Sequence, residues 1–266
     1  MSSSDPQHAL TLESLRLTFH PGSPDERVAL DGLSLQMDEG DFAVVIGSNG
    51  AGKSTLLNVI AGALPPDSGR VVFDGKDVTA LAVHRRAAYI GRVFQDPMLG
   101  TAPALSIEEN LALAQRRGQR RGLGMALRRG NRQRFADLLA PFGLGLETRL
   151  GVMAGKLSGG QRQVLALLMA AMQRPRLLLL DEHTAALDPG TAELVMQATR
   201  RIVGEGGLTT LMITHNMQHA IDTGNRLLAL NAGQVRLDLD AQAKAGLTVD
   251  ALVQRFGASD DQLLRA

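Results

Sequence analysis

The chain has 266 residues, 44% hydrophobic, 21% charged and only 3% aromatic, and its 28 Lys and Arg against 27 Asp and Glu leave a net charge of +1. That length supports a full-sized core, either as one large domain or as a core with a smaller lobe. The near-neutral balance and the absence of Trp argue against nucleic acid as a partner, and the absence of Cys excludes disulfides, thiolate metal sites and cysteine nucleophiles and fits a cytosolic location.

The N-terminus, MSSSDPQHALTLESL, is polar and lacks the apolar segment of a signal peptide. No apolar run approaches the roughly 18 residues needed to cross a bilayer. Residues 12–19 (LESLRLTF) and 28–37 (VALDGLSLQM) have strand patterns, separated by the turn-rich HPGSPDER. GDFAVVIG, ending at Gly47, is a short β-branched run, and GAGKSTLLNVIAGAL after it has helical spacing until PPDSG stops it. RVVFDG predicts another strand, and AAYIGRVFQDP follows after a polar segment.

From about residue 106 to 170 the chain reads as mostly helical: SIEENLALA, MALRRGNRQRFADLLAPF and GGQRQVLALLMAAM. Then come the strand RLLLLDE, a helix over 191–203, the strand TTLMITH, and a helix beginning near Met217. LNAGQVRLDL reads as a hairpin and LTVDALVQRFG as a closing helix. Strands alternating with helices predict a largely parallel sheet covered on both faces, interrupted by a helical lobe. Eight arginines lie between Arg116 and Arg134. They read as a solvated lobe surface or as a contact for anionic headgroups or an acidic partner.

GSNGAGKST matches G-x-x-x-x-G-K-[ST] between an apolar strand and a helix. Its residues Ser48, Asn49, Gly50, Ala51 and Gly52 would offer backbone N–H groups to phosphate, helped by the helix N-terminus. Lys53 would reach the β and γ phosphates, Ser54 would ligate Mg²⁺, and Thr55 would add a phosphate contact. These residues predict binding of a nucleoside triphosphate. Asp181, ending the leucine run, is the expected Mg²⁺ partner through water, and Glu182 is placed to polarise the attacking water. LSGGQRQ offers a second phosphate-shaped turn, in which Ser158, Gly159, Gly160 and Gln161 open a predicted helix. A complete phosphate loop together with a second such turn suggests a nucleotide shared across a two-fold dimer. Ser158 alone is equally explained as a helix cap.

The phosphate loop, LSGGQRQ, LLLLDE, the ALD ending at Asp188 and the TH ending at His215 occur in the order of the nucleotide-binding subunits of ATP-binding cassette (ABC) transporters, which the chain resembles over nearly its whole length. The resemblance implies an α/β P-loop NTPase core with a mainly parallel sheet, an N-terminal antiparallel β subdomain and an inserted helical subdomain. It sets the ATPase domain at 10–266 and the helical insertion at 100–172. It also implies ATP and Mg²⁺, with Gln95 as a metal and water contact coupling the lobe to the core, His215 as the γ-phosphate switch, and Asp188 as a residue crossing the dimer interface. Phe19 stands where the family stacks an aromatic on adenine, with Val28 near it; Gln95 and Phe19 also read as a strand-end polar residue and a core residue. The family often has DEPT where this chain has His183, which either tunes Glu182 or replaces a turn proline.

One cassette without an attached membrane segment implies a peripheral subunit on the cytoplasmic face of the inner or plasma membrane. Its implied partners are a second copy bound in the presence of ATP, two permease transmembrane subunits and a solute-binding protein. The wording of several segments, including IGRVFQDPMLG and LLLLDEHTAALDP, resembles a bacterial importer branch. That branch pairs with branched-chain-amino-acid-type permeases and aromatic-amino-acid-like binding proteins. The alternative is a soluble ABC ATPase of an assembly, repair or regulatory complex.

Overall fold

The run of four leucines before Asp181 is explained by a strand buried on both faces. In the computed structural model, which describes residues 8–117 and 131–257, Leu177 and Leu179 enter one apolar core while Leu178 and Leu180 enter another on the opposite face of the sheet. All four are almost fully buried, each contributing about 1.5–3 kcal/mol of apolar burial.

In chain order the elements are β1 (Leu10–Phe19), β2 (Arg27–Met37), β3 (Phe42–Gly47), α1 (Lys53–Ala61), β4 (Ser68–Phe73), β5 (Lys76–Asp77), α2 (Val83–Arg86) and β6 (Ile90–Val93). These are followed by α3 (Ile107–Gln115), α4 (Asn131–Leu139), α5 (Gly159–Ala171), β7 (Leu177–Asp181), α6 (Pro189–Gly206) and β8 (Thr210–Ile213). The chain continues through α7 (Met217–Asp222), β9 (Arg226–Asn231), β10 (Gln234–Leu239), α8 (Ala241–Lys244) and α9 (Val249–Gly257).

A six-stranded sheet has the order β10-β9-β3-β8-β7-β6. Its inner pairs are parallel and only the β10 edge is antiparallel. A second, four-stranded antiparallel sheet has the order β2-β1-β4-β5. The expected antiparallel subdomain is therefore assembled from both sides of α1, because β4 and β5 return to pair with β1 after the helix. One core lies between this sheet, α1 and the larger sheet, and the other packs the opposite face of the larger sheet against α5, α6 and α7. A third core gathers α3, α4 and part of α5 around Ile107, Phe135 and Leu165.

Two expectations need adjustment. The middle segment is less continuously helical than its composition suggests: between α4 and α5 there are two short 3₁₀ turns, 140–142 and 154–156, joined by irregular chain. The hairpin expected from 230 begins earlier, because residues 226–231 form a fully paired β9 next to β3. Most of the Arg116–Arg134 stretch, and the first part of the helix expected over 125–142, lie outside the described residues.

α1 ends on Gly62 in the left-handed conformation, and its last carbonyls receive a buried cation. Arg86 is 1% exposed and donates to the carbonyls of Val59, Ile60, Thr79 and Leu81. A charge at a helix C-terminus matches the helix dipole, and its hydrogen bonds compensate the burial. The C-terminal end of α1 is thereby held while its N-terminal end remains open for chemistry.

Candidate active site

The C-terminal ends of neighbouring parallel strands β3, β6, β7 and β8 carry the phosphate loop, Gln95, Asp181 with Glu182, and His215 respectively. In open α/β sheets this end of the strands, where the connections diverge, is where ligands bind.

The loop from Gly47 to Gly52 is shaped by backbone that only glycine tolerates. Gly52 has φ 101°, and a Cβ there would strike the carbonyl oxygen of Ala29; at Gly47 it would strike that of Leu230. Gly52 caps α1 without any side-chain acceptor, so the first N–H groups of the helix are left for a ligand. Behind the loop, the β9–β10 turn supports it: Gly233 N–H donates to Ala51 and its carbonyl accepts from Asp31. Ser48 and Thr55 are half-buried, while Asn49, Gly50 and Ser54 are exposed.

Lys53 is 8% exposed, and its ammonium curls into its own loop, donating to the carbonyls of Gly47 at 2.6 Å and Ser48 at 3.0 Å. Burial pushes its pKa below the ordinary lysine range, while the negative charges of Glu182 and Asp181 pull it back up. Three charged groups from two distant parts of the sequence therefore face one small volume.

Asp181 ends β7 with its side chain 17% exposed, and burial raises its pKa against the pull of Arg92, whose Nη2 lies 3.2 Å from Oδ2. Glu182 follows with φ 43°, a left-handed backbone that is strained for a residue bearing a Cβ. Its N–H donates to Ile213 and its carbonyl accepts from Ala185, and these bonds hold the strained turn. His215, beyond β8 and 65% exposed, places Nδ1 3.4 Å from Glu182 Oε2.

Other predicted residues are dispersed around this cluster. Gln95 is exposed just beyond β6, next to Phe94, whose carbonyl accepts from Gln163 of α5. Phe19 ends β1, partly buried against the first core and paired in register with Arg27 of β2, whose guanidinium donates to the Gly50 carbonyl at 2.8 Å. Val28 is 38% exposed beside it.

Ser158 caps α5 in a reciprocal box with Gln161, and Gln161 also donates to Leu144. Gly159 and Gly160 open that helix; a Cβ on Gly160 would collide with Thr191, so this glycine lets α5 approach α6. Asp188 is the exposed N-cap of α6, accepting from Thr191 N–H. Ser158 and Asp188 thus cap helices within this chain and remain at its surface.

His183 does more than fill a turn. It is 2% exposed, and Nε2 lies 2.8 Å from the hydroxyl of Thr199 on α6, which itself donates to Val195. Burial, with a smaller contribution from His219, lowers its pKa to about 4 from 6.5. The group is then neutral in the folded chain and protonated first in the unfolded one. Its contribution to stability is complete above pH 6.5 and is lost as pH falls toward 4. Between pH 7 and pH 5 we expect a loss of about 2 kcal/mol from this group. Chemical denaturation of the chain and of His183→Gln at both pH values checks this: the variant should show a shallower pH dependence, and parallel slopes would contradict it.

Sequence reasoning missed Arg92 and Arg27. Arg92 had a visible signal, a lone charge inside the apolar strand IGRVF, whereas Arg27 had none.

Residues 30–185, more than half the chain, match the ABC transporter family. The chain belongs to this family. It is 42% identical over 247 residues to the tyrosine transport ATP-binding protein of Clostridioides difficile (strain R20291), covering 93% of this chain and 98% of that one. A dimeric ATP-binding cassette in a post-hydrolysis state with ADP and Pi superposes with a TM-score of 0.73 at 30% identity, covering 87% of this chain and 98% of that one. The ADP conformation of another ABC transporter cassette gives 0.75 at 27% identity, over 95% of this chain and 99% of the other. The ABC subunit described here has the α/β P-loop ATPase core and is an ATP-hydrolysing transporter subunit, and its fold implies binding of ATP and Mg²⁺. Among its described residues no helix is long and apolar enough to cross a membrane.

Proposed function

We propose that this subunit powers a bacterial importer of amino acids or related small solutes, and that residues 10–266 form its ATPase domain with a helical unit at 100–172. It would sit on the cytoplasmic face of the plasma membrane, docked on two permease subunits fed by a solute-binding protein. The observation that carries the solute class is the 42% identity, over almost the full length of both chains, to a tyrosine transport ATP-binding protein.

The site residues then take these roles. The glycine-shaped loop from Ser48 to Gly52 and the open N-terminus of α1 hold the phosphates of ATP, with Lys53 exchanging its loop carbonyls for the β and γ phosphates and Thr55 adding a hydroxyl. Phe19 stacks on the adenine. Glu182 orients the attacking water and accepts its proton, and His215, within reach of the same carboxylate, contacts the γ phosphate. Ser158, Gly159, Gly160, Gln161 and Asp188 face the nucleotide held by a second copy.

The donor set suits Mg²⁺ delivered with nucleotide: among the described residues no group of three or more His, Cys, Asp or Glu could hold a metal ion alone. The serine hydroxyl of Ser54, the carboxylate of Asp181 and the amide of Gln95 match the few protein ligands this ion takes beside phosphate and water. When bound, it would supply charge neutralisation of the β and γ phosphate oxygens.

Mass-spectrometric identification of proteins that co-purify with this chain from gently solubilised native membranes, with ATPase activity assayed on the same fraction, tests the proposal. A multispanning permease in matching stoichiometry is expected. A fully active, reproducibly membrane-free complex would contradict it.

A further inference from the structure

Arg92 stands out because it is a largely buried cation with no part in the roles above. It lies on β6, its side chain 16% exposed, and makes three contacts to three different parts of the site. Nη2 is 3.2 Å from Asp181 Oδ2, Nη1 donates to Asn58 Oδ1 at 2.9 Å, and the guanidinium carbon lies 4.7 Å from the centre of the Phe94 ring. Asn58 belongs to α1, the helix that begins at Lys53 and Ser54. Phe94 immediately precedes Gln95.

Two features distinguish this pair from a permanent structural ion pair. It is a single-point contact at 3.2 Å, not the two-pronged fork that Arg and a carboxylate form when both are committed to each other. In addition, Nε is buried without a hydrogen-bond partner, so the guanidinium is incompletely satisfied even while it holds Asp181.

The charge balance gives the arrangement a meaning. Asp181 and Glu182 face Lys53 and Arg92, and a half-buried carboxylate needs a cation close by. We propose that Arg92 is a positioning residue that stands in for the metal: it holds Asp181 through Oδ2 in the nucleotide-free subunit and gives up that interaction when Mg²⁺ arrives with nucleotide. This rests on Asp181 being the metal partner, as proposed above. By linkage, whatever Arg92 adds to the stability of the metal-free form it subtracts from the affinity for the metal, making it a brake on loading as well as a support for Asp181. Asn58 is the second anchor, keeping Arg92 at hand between α1 and β7 when Asp181 turns away.

The test compares thermal unfolding midpoints of the full chain, Arg92→Gln and Arg92→Lys in EDTA, in ADP with EDTA, and in ADP with Mg²⁺. Titration of Mg²⁺ into each protein with fluorescent ADP supplies a binding readout. In EDTA, Arg92→Gln should lower the midpoint by roughly 5–10 °C, because it leaves a half-buried carboxylate without its cation. With saturating Mg–ADP the loss should shrink to less than half, and the half-saturating Mg²⁺ concentration should fall several-fold. Arg92→Lys, which keeps the charge, should recover part of the EDTA midpoint. Equal losses in all three conditions would make Arg92 merely structural and overturn the proposal, as would a loss confined to the Mg–ADP condition or no loss at all. If Arg92→Gln does not fold, Arg92→Lys decides: the same deficit with and without Mg–ADP overturns it. A wild-type chain that gains no Mg²⁺-dependent stabilisation would remove the metal site itself, a failure distinct from equal losses in the variants.

Discussion

Replacing Glu182 by Gln should lower ATP turnover by roughly 10²–10³-fold while leaving ATP binding close to that of the parent chain. The substitution keeps size and hydrogen bonding but removes the basic oxygen proposed to accept the water proton. Three features support that proposed role: Glu182 follows the end of β7, its turn is left-handed at φ 43°, and His215 lies 3.4 Å away. The Gln side chain suits the same turn, so stability should hardly change, and the unfolding midpoint provides the control. Steady-state hydrolysis measured beside equilibrium binding of a fluorescent ATP analogue separates the two steps. Turnover within a few-fold of the parent would place the base elsewhere.

Lys53→Ala should weaken ATP binding, turnover or both by roughly 100-fold or more, because it deletes the one cation inside the phosphate loop. That ammonium also donates to the carbonyls of Gly47 and Ser48, so its removal should loosen the loop as well. Lys53→Arg is the informative companion. It keeps the charge, but a planar, wider head does not fit a loop closed around a compact ammonium, and little activity should return. Binding isotherms with ATP and hydrolysis rates check both variants, and parent-like values for Lys53→Ala would remove it from the phosphate site.

The parts of this site that could be read before folding are those whose chemistry is written locally. The phosphate loop needs its glycines, lysine and serine within nine consecutive residues, and the carboxylates follow directly from a buried strand, so both announce themselves in one dimension. The strands were legible for the same reason: β3 and β7 are continuous apolar runs because parallel sheets are buried on both faces. The irregular chain between α4 and α5 was harder, because Gly143, Gly145 and the 3₁₀ turns interrupt a composition that is otherwise favourable to helix.

Residues whose role depends on distant neighbours were not legible. Arg92 matters because β6 lies beside β7, which brings it to Asp181, 89 positions along the chain. Arg86 sits in VHRR, a segment that reads as surface, yet it closes the carbonyl end of α1 from 27 positions away. His183 could be noticed as a departure from the family wording, but its burial against Thr199 follows from the packing of α6 on the sheet. In each case long-range packing, not local propensity, gives the side chain its partner.

We propose that each nucleotide is completed by two copies, with the loop of one chain and the Ser158 turn of the other enclosing ATP. The most direct measurement is the solution mass of the Glu182→Gln chain by sedimentation, without nucleotide, with Mg–ADP and with Mg–ATP. The 28.3 kDa of a single chain is expected in the first two conditions and twice that mass in Mg–ATP. Ser158→Arg, whose long side chain would project from the exposed cap of α5, should abolish the shift while preserving ATP binding. A single-chain mass at saturating Mg–ATP, or a dimer indifferent to the substitution at Ser158, would contradict it.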